Sequence, residues 1–565
     1  MSERSPLERV LARVEKPGRY VGGEWNEIRK RPALVRTKVA LAFPDVYEIG
    51  MSYLGQKILY ALLNRDRRVL AERVFAPWPD LERELRAAGI PLATLENAIP
   101  LREFDIVGFS LLYELNFTNV LTILDLGGIP LTTGERGEGD PWVIAGGPAA
   151  FNPEPVADIF DLLFLGDGEE GFPEIVAAVA DLKERRVPRP DALRELARIR
   201  GVYVPSLYRV EAAPGSPLVV PRPLPGAPAT VRKRLARDFA TSFFPEKIIV
   251  PSLRVVFDRV ALEAARGCPQ SCRFCQASSL YFPHRPKDPG VLHRTAVRSL
   301  RQTGYEDASL SALSVGDHPE LETIVGSLMA DLAREKISLS LSSLRPGRLS
   351  RELVENILKV RKTGFTLVPE AGTERLRSVI DKKIDDREIR DALTYAFEGG
   401  WKLVKLYFMV GLPTETAEDL AGIVDLVRSG HELGRSILGS PPRIHVSMSS
   451  FIPKPHTPFQ WLGMEDEAVL AEKQAFVRSE LRRFRGVEVK THPLATSVLE
   501  AVFSRGDRRL GPVLVDAWKR GARFDGWDDK LDAAAWKGAF AAAGIDPREY
   551  LRPLPVESPL PWDVA

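Results

Sequence analysis

From about residue 36 the chain alternates short apolar runs with amphipathic stretches. TKVALAF, FDIVGFSLL, PWVIAGG and FDLLFLG read as strands, and YLGQKILYALLN and EEGFPEIVAAVADLKERR, between or after them, have helical periodicity. The alternation predicts an α/β first domain over residues 36–225, a doubly wound, Rossmann- or flavodoxin-like parallel sheet behind an N-terminal extension at 1–35. The Pro- and Gly-rich stretch APGSPLVVPRPLPGAPA reads as loop, and a linker is expected over 226–250.

A second alternating series runs from about Arg254 to Phe451: VVFDRVALEAA, ASLSALSVG, ISLSLSSL, FTLVPEAG, WKLVKLYFMVG and RIHVSMSSF. Helical patterns separate most of them, including PELETIVGSLMADLARE, SRELVENILKVRKTG and TAEDLAGIVDLVRSG. Such a series predicts a partial (β/α) TIM-type barrel over residues 251–460, with its chemistry at the carboxyl ends of the strands. Residues 461–565 read as a mainly helical C-terminal region with scattered arginines.

Composition narrows the function classes. The 565 residues carry 78 Lys plus Arg against 76 Asp plus Glu, so no bulk field draws the protein to nucleic acid or an anionic membrane. The charged amino terminus lacks the apolar core of a signal peptide, and no stretch approaches the ~18 apolar residues of a membrane span. A cytoplasmic protein without a membrane partner is expected. All three cysteines fall in ARGCPQSCRFCQA as Cys268, Cys272 and Cys275. An odd, clustered set is not a disulfide framework and points to metal in a reducing compartment. Three thiolates bind three irons of a [4Fe-4S] cube and leave the fourth iron open, whereas electron-transfer clusters use four cysteines. Zinc with His284 as a fourth ligand is the competing account, although structural zinc sites use paired Cys-x2-Cys knuckles.

The Cys-x3-Cys-x2-Cys spacing, Phe274 before the last cysteine and the place after the first barrel strand resemble the radical S-adenosylmethionine (SAM) superfamily. The resemblance implies that SAM chelates the open iron, and that an electron from the cluster cleaves SAM to a 5′-deoxyadenosyl radical that abstracts hydrogen from substrate. It implies an external reductant such as flavodoxin or ferredoxin. It also implies SAM contacts at strand ends. Ser314-Val315-Gly316-Asp317 stands where the family has Gly-Gly-Glu, with one glycine replaced and Asp for Glu. Ser340, Ser342 and Arg345 follow, then Glu370, Gly372 and Arg375, then the Gly411-Leu412-Pro413 turn. Each of these has a plain structural alternative: strand-end turns for the glycines and Pro413, and a solvated helix face for Arg375 beside Glu374.

A doubly wound domain ahead of such a barrel resembles the cobalamin-binding subclass. DVYEIGMSYLG, VPEAGTERLR, SRGDRRLG, DAWKRGARFD and the terminal LPWD are similar to segments of a bacterial family of cobalamin-domain radical SAM proteins whose reaction is not established. Cobalamin contacts are then implied at Asp45, Tyr47, Gly50, Ser110, Gly146, Gly147, Gly166 and Glu169. None of the seven histidines lies in the first 250 residues, and the Asp-x-His-x-x-Gly pattern of many cobalamin proteins reads Asp45-x-Tyr47-x-x-Gly50. The resemblance implies cobalamin-dependent methyl transfer to an unactivated carbon. A radical rearrangement or redox reaction without methyl transfer, with RNA as one candidate substrate, stays open beside it. The tail cations Arg478, Arg482, Arg483, Arg485, Arg505, Arg508, Arg509, Lys519, Arg520 and Arg523, interleaved with Phe503, Trp518, Phe524 and Trp527, are the candidate RNA surface, with a solvated helical face and buried aromatic anchors as the plain alternative, and Pro453, Lys454, His456 and Trp461 are candidates to close the barrel mouth. The substrate is not legible.

Overall fold

The computed structural model describes residues 6–213, 215–342, 344–348, 353, 355 and 365–565. The first sheet holds β1 (Thr37–Phe43), β2 (Val69–Phe75), β3 (Ile106–Ser110), β4 (Trp142–Gly146), β5 (Leu162–Phe164) and β6 (Val202–Tyr203) in the order β2-β1-β3-β4-β5-β6. All neighbours are parallel except β5 and β6. Alternate residues of β1 divide between two cores. Val39, Leu41 and Phe43 pack with Leu63 and Phe172, while Ala40 and Ala42 pack with Leu81 and Val120. Strands covered on both faces are apolar throughout, which is why TKVALAF shows no period of two. The order is flavodoxin-like, and its switch point, where a crevice opens outside the strand ends, lies between β1 and β3.

One expected loop is partly strand. β7 (Tyr208–Ala212) and β8 (Val219–Pro223) form an antiparallel hairpin that includes part of the Pro-rich stretch. Proline is tolerated there because a two-stranded ribbon consists of edges. The 226–250 segment is tied down rather than free, since the Arg234 carbonyl accepts Asp167 N at 2.8 Å and Val231 N donates to Val564 O at 2.7 Å.

The second α/β unit begins with β9 (Val260–Glu263), followed by a short hairpin of β10 (Ala265–Arg266) and β11 (Arg285–Pro286). β12 (Asp307–Ser311) and β13 (Ser338–Leu341) extend β9 in parallel, and β14 (Phe365–Glu370), β15 (Leu403–Val410), β16 (Arg443–Ser450) and β17 (Val487–Thr491) form a second parallel run. The helix expected at 350–364 lies outside the described residues except for Leu353 and Glu355. β17 comes from the region expected to be mainly helical: VEVKT is half exposed and has no apolar run, so only its pairing with β16 makes it a strand.

Helices Glu467–Leu481, Leu494–Ser504, Leu510–Lys519 and Ala533–Ala543 complete the tail. The first packs Leu470, Val477 and Leu481 into the barrel core, and the others return to the first domain, where Leu499, Phe503, Leu514 and Trp536 share a core with Val107, Phe109 and Leu121. No described helix is long and apolar enough to cross a membrane. Trp562, three residues from the carboxyl end, is 1% exposed and donates to Gln460 Oε1 at 2.8 Å. Trp562→Ala should cost about 3–5 kcal/mol, as deletion of a buried aromatic does, read as a lower midpoint in denaturant unfolding.

Candidate functional site

The cysteines occupy a loop that leaves β10 through Gly267. This glycine has φ +84°, and a Cβ there would stand 2.5 Å from Pro283 O, so no other residue fits without moving the hairpin. Cys268 is buried, while Cys272 and Cys275 are half-buried. The loop is pinned across its length. Cys275 N donates to Cys272 O at 3.1 Å, and Arg273 donates to Ile380 O at 3.0 Å and Val379 O at 2.8 Å. Burial pushes the Cys268 thiol up and that of Cys272 to about 11, with Lys382 opposing the second shift. Thiolates in such a place need a bound cation to offset their desolvation.

Gln270 joins this loop to two strand ends. Its amide donates to Asp317 Oδ2 at 2.8 Å, and its carbonyl oxygen accepts from Arg345. Asp317, in the turn after β12 with Gly316, also accepts Ser314 Oγ at 2.8 Å and Arg348 Nε at 3.1 Å. Burial opposes its charge, but these hydrogen bonds win and hold its carboxyl below the usual range. Ser342 Oγ donates to Leu310 O at 3.0 Å, tying the end of β13 to β12. Glu370 ends β14 at φ +70°, beyond a shift in register, and accepts Lys382 Nζ at 3.2 Å. A non-glycine residue at that φ is strained and persists only where its surroundings enforce it. Burial raises the Glu370 pKa, with Lys382 opposing.

Three residues expected at SAM fall elsewhere. Arg375 pairs with Asp419 and donates to Thr414 O at 2.8 Å, so it braces the turns after β14 and β15 and does not join the cysteine loop. Neither does it pair with Glu374. Gly411, at φ +79°, faces the outer helix, where a Cβ would meet Leu470 at 2.7 Å. With Pro413 it serves as a packed turn.

A cavity of about 400 Å³ opens at the sheet's switch point and is closed by the β10–β11 hairpin. Ser110, Gly146, Gly147, Gly166 and Glu169 line its first-domain side, and Arg266, Gly267 and Tyr281 line the other. Gly147 (φ +114°) and Gly166 (φ +122°) are required as glycines, because a Cβ would collide with Leu111 O and Arg234 O. Asp45, Tyr47 and Gly50 do not line it. Asp45 accepts from Trp527 Nε1 and Asn116 Nδ2, both at 3.1 Å. The Tyr47 hydroxyl donates to Glu24 Oε1 at 3.1 Å and accepts Ser252 N at 3.2 Å. Gly50 gives room to the Phe75 ring. All three are thus engaged by neighbours outside the cavity lining. The tyrosines at the cavity are Tyr53 and Tyr281, both kept neutral by burial, and no histidine lines it.

Arg266, absent from the sequence-based candidates, ties the halves of the site together. It contacts Asp167 at 2.8 Å, Glu169 at 2.6 Å and Glu263 at 2.8 Å, and lies 4.7 Å from the centroid of the Phe239 ring. Arg285 adds a second pair to Asp167. Glu169 thus meets an arginine two residues from Cys268. The motif ARGCPQ displays the arginine, but nothing local signals partners about a hundred residues away.

Part of the candidate RNA surface is engaged within the fold, while Arg482, Arg483 and Arg485 stay exposed. Arg508 pairs with Glu154 at 3.0 Å, Arg523 with Glu82 at 3.1 Å and Arg509 with Asp507 at 2.7 Å, while Arg505 is buried. Phe503, Trp518 and Phe524 are core residues against the first domain. The SSFIPKPHTPFQW segment is likewise a junction: Lys454 bridges Glu114 at 3.2 Å and Glu500 at 2.8 Å, and His456 Nε2 meets Phe151 O at 2.8 Å. Removing one partner of a buried ion pair strands the others. Arg266→Ala should therefore cost about 3–5 kcal/mol in denaturant unfolding, with Arg266→Lys losing less because it keeps the charge.

Known proteins match along the same lines. Residues 55–205 match the family model described as radical SAM proteins, N-terminal, and residues 262–427 match the radical SAM superfamily model. The uncharacterized protein MJ0966 of Methanocaldococcus jannaschii is 27% identical over 487 residues, covering 84% of this chain and 90% of its own. Among solved structures, the radical SAM methyltransferase TsrM of Kitasatospora setae, with cobalamin and a [4Fe-4S] cluster bound, superposes with a TM-score of 0.50 at 15% identity, over 78% of this chain and 79% of that one. The cobalamin-dependent SAM radical enzyme OxsB gives 0.49 at 12% identity, over 91% and 76%. With one radical SAM model on the wound domain and another on the barrel that carries the three cysteines, the chain belongs to the radical SAM superfamily.

Proposed function

We propose that Cys268, Cys272 and Cys275 hold a [4Fe-4S] cluster, that SAM sits over it against Gly316, Asp317, Ser342, Arg345 and Glu370, and that the cavity beside it takes cobalamin for methyl transfer to a carbon of the substrate. The observation that carries this reading is the shared wall: Arg266 and Gly267 line the cavity, and Cys268 is the next residue. Cluster and SAM together supply reductive cleavage to a 5′-deoxyadenosyl radical, and cobalamin supplies a methyl carrier.

The chain's own residues suit these roles. Cationic Lys382, beside Cys272, offsets thiolate charge, and the Gln270 clamp holds Asp317 and Arg345 in register with the cysteines. Asp317 is an acceptor for an amino group, and Arg345 a donor to a carboxylate. Backbone at Gly147 and Gly166 leaves room for a flat ring to approach, and TsrM, of similar fold, was solved with cobalamin bound. The domain divisions at residues 36–225, 251–460 and 461–565 are part of this reading, as are a reducing cytoplasm and an external flavodoxin- or ferredoxin-like reductant.

Anaerobically reconstituted protein should bind about four irons and release 5′-deoxyadenosine from SAM with dithionite, and Cys272→Ala should do neither. S-adenosylhomocysteine formed alongside supports methyl transfer, while 5′-deoxyadenosine alone favours a rearrangement or redox reaction. Hydroxocobalamin should stay with the protein through gel filtration. Bound base-off, and with no histidine among the described lining residues, the Co(II) form should show no nitrogen splitting in its electron paramagnetic resonance (EPR) spectrum, whereas a split spectrum would show ligation by the cofactor's own base or by a histidine from elsewhere. Loss of the cofactor on the column removes the cobalamin part of the reading.

A further inference from the structure

His284 stands at the edge of the cysteine loop with a ring nitrogen that nothing satisfies. It belongs to the hairpin in which Ala265 pairs with Pro286 and Arg266 with Arg285. His284 directly precedes Arg285, and Gly267, the residue before Cys268, packs on the turn that leads into it, where a Cβ would stand 2.5 Å from Pro283 O. Side chains alternate between the faces of a strand, so His284 points away from the face on which Arg266 and Arg285 reach Asp167. The charge of Asp317 reaches His284 and Cys268 alike. Gln270 of the cysteine loop donates to the same carboxylate at 2.8 Å. His284, Cys268, Gln270 and Asp317 therefore form one neighbourhood. Within it His284 Nε2 is shielded from solvent and has no hydrogen-bond partner among the described residues. The two buried histidines have partners: His318 Nε2 meets Lys287 O at 3.1 Å, and His431 Nε2 meets Arg485 O at 2.9 Å. A buried polar nitrogen without a partner is costly and marks a place where a group is expected.

We propose that His284 donates its Nε2–H to a sulfur of the cluster held by the cysteine loop, and thereby raises the cluster's reduction potential. This rests on the reading of the three cysteines as cluster ligands. One-electron reduction places negative charge on the cluster sulfurs, and a hydrogen bond to sulfur stabilises that form over the oxidised one. His284 is thus a positioning and tuning residue and not a fourth iron ligand, which leaves the open iron free for SAM.

The test compares anaerobically reconstituted wild type, His284→Phe and His284→Gln in potentiometric titrations followed by EPR, with and without SAM. Equal iron content is expected. At the wild-type midpoint the reduced-to-oxidised ratio of His284→Phe should fall about tenfold, about 59 mV for one electron, whether or not SAM is present. His284→Gln keeps a donor and should recover part of the shift. Equal potentials overturn the proposal, and a shift seen only with SAM overturns it in favour of a contact to SAM. Wild type labelled with 15N-histidine gives a readout that no variant has to fold for. A weak nitrogen coupling at the reduced cluster is expected, and either no coupling or one of the size of direct ligation overturns the idea. No iron uptake by wild type removes the cluster reading and this inference together, whereas iron uptake with equal potentials removes this inference alone.

Discussion

Arg266 carries a full positive charge into the seam between the wound domain and the barrel, and the geometry of the site depends on how that charge is met. Burial alone would disfavour the ion, but three carboxylates from two domains surround it and raise its pKa well above the usual arginine value. The planar guanidinium serves Asp167, Glu169 and Glu263 together, as a compact ammonium does not. Asp167 and Glu169 come from the turn after β5, and Glu263 from the end of β9, so the ion lattice fixes the cavity mouth relative to the cysteine loop. The Phe239 ring, with Arg266, Arg285 and Lys287 4.7, 5.4 and 4.6 Å from its centroid, fills the outer side of this lattice.

Around that fixed seam the backbone is specialised where two chemistries meet. Gly147 and Gly166 hold conformations that side chains rarely adopt, and each lies against another carbonyl. On the barrel side Gly267 does the same beneath the cysteines, and Glu370 keeps a left-handed conformation without being glycine. Close backbone approach is thus found at strand ends bordering the cavity and the loop, the places where a parallel α/β sheet and a barrel each expose unfilled space. The tail acts at a distance from this space. By burying Phe503, Trp518, Phe524 and Trp562 against the first domain or its own helices, it holds in one body two units that a short interface would leave free to move.

The order of elements, the fold class and the cysteine triad were legible in the sequence because each is a local pattern. Apolar runs alternating with helical periodicity determine strand and helix whatever lies across the space, and three cysteines in eight residues with no fourth in the chain determine the ligand number. Glycines at strand-to-helix turns were legible for the same reason, and Ser110, Gly146, Gly147, Gly166 and Glu169 all border the cavity. Asp45, Tyr47 and Gly50 belong to a motif of similar form, but the direction of the chain after β1 turns them into the core. β17 has no apolar signature at all and exists through its neighbour. The contacts of Arg266 with Asp167 and Glu169, the clamp at Gln270 and the diversion of Arg375 to Asp419 were decided by tertiary structure alone, because each pairs charges or amides separated by tens of residues or more. A charged side chain in sequence does not announce whether it will meet water or a partner, and that choice, made only when the domains close, determines which of the candidate residues form the site.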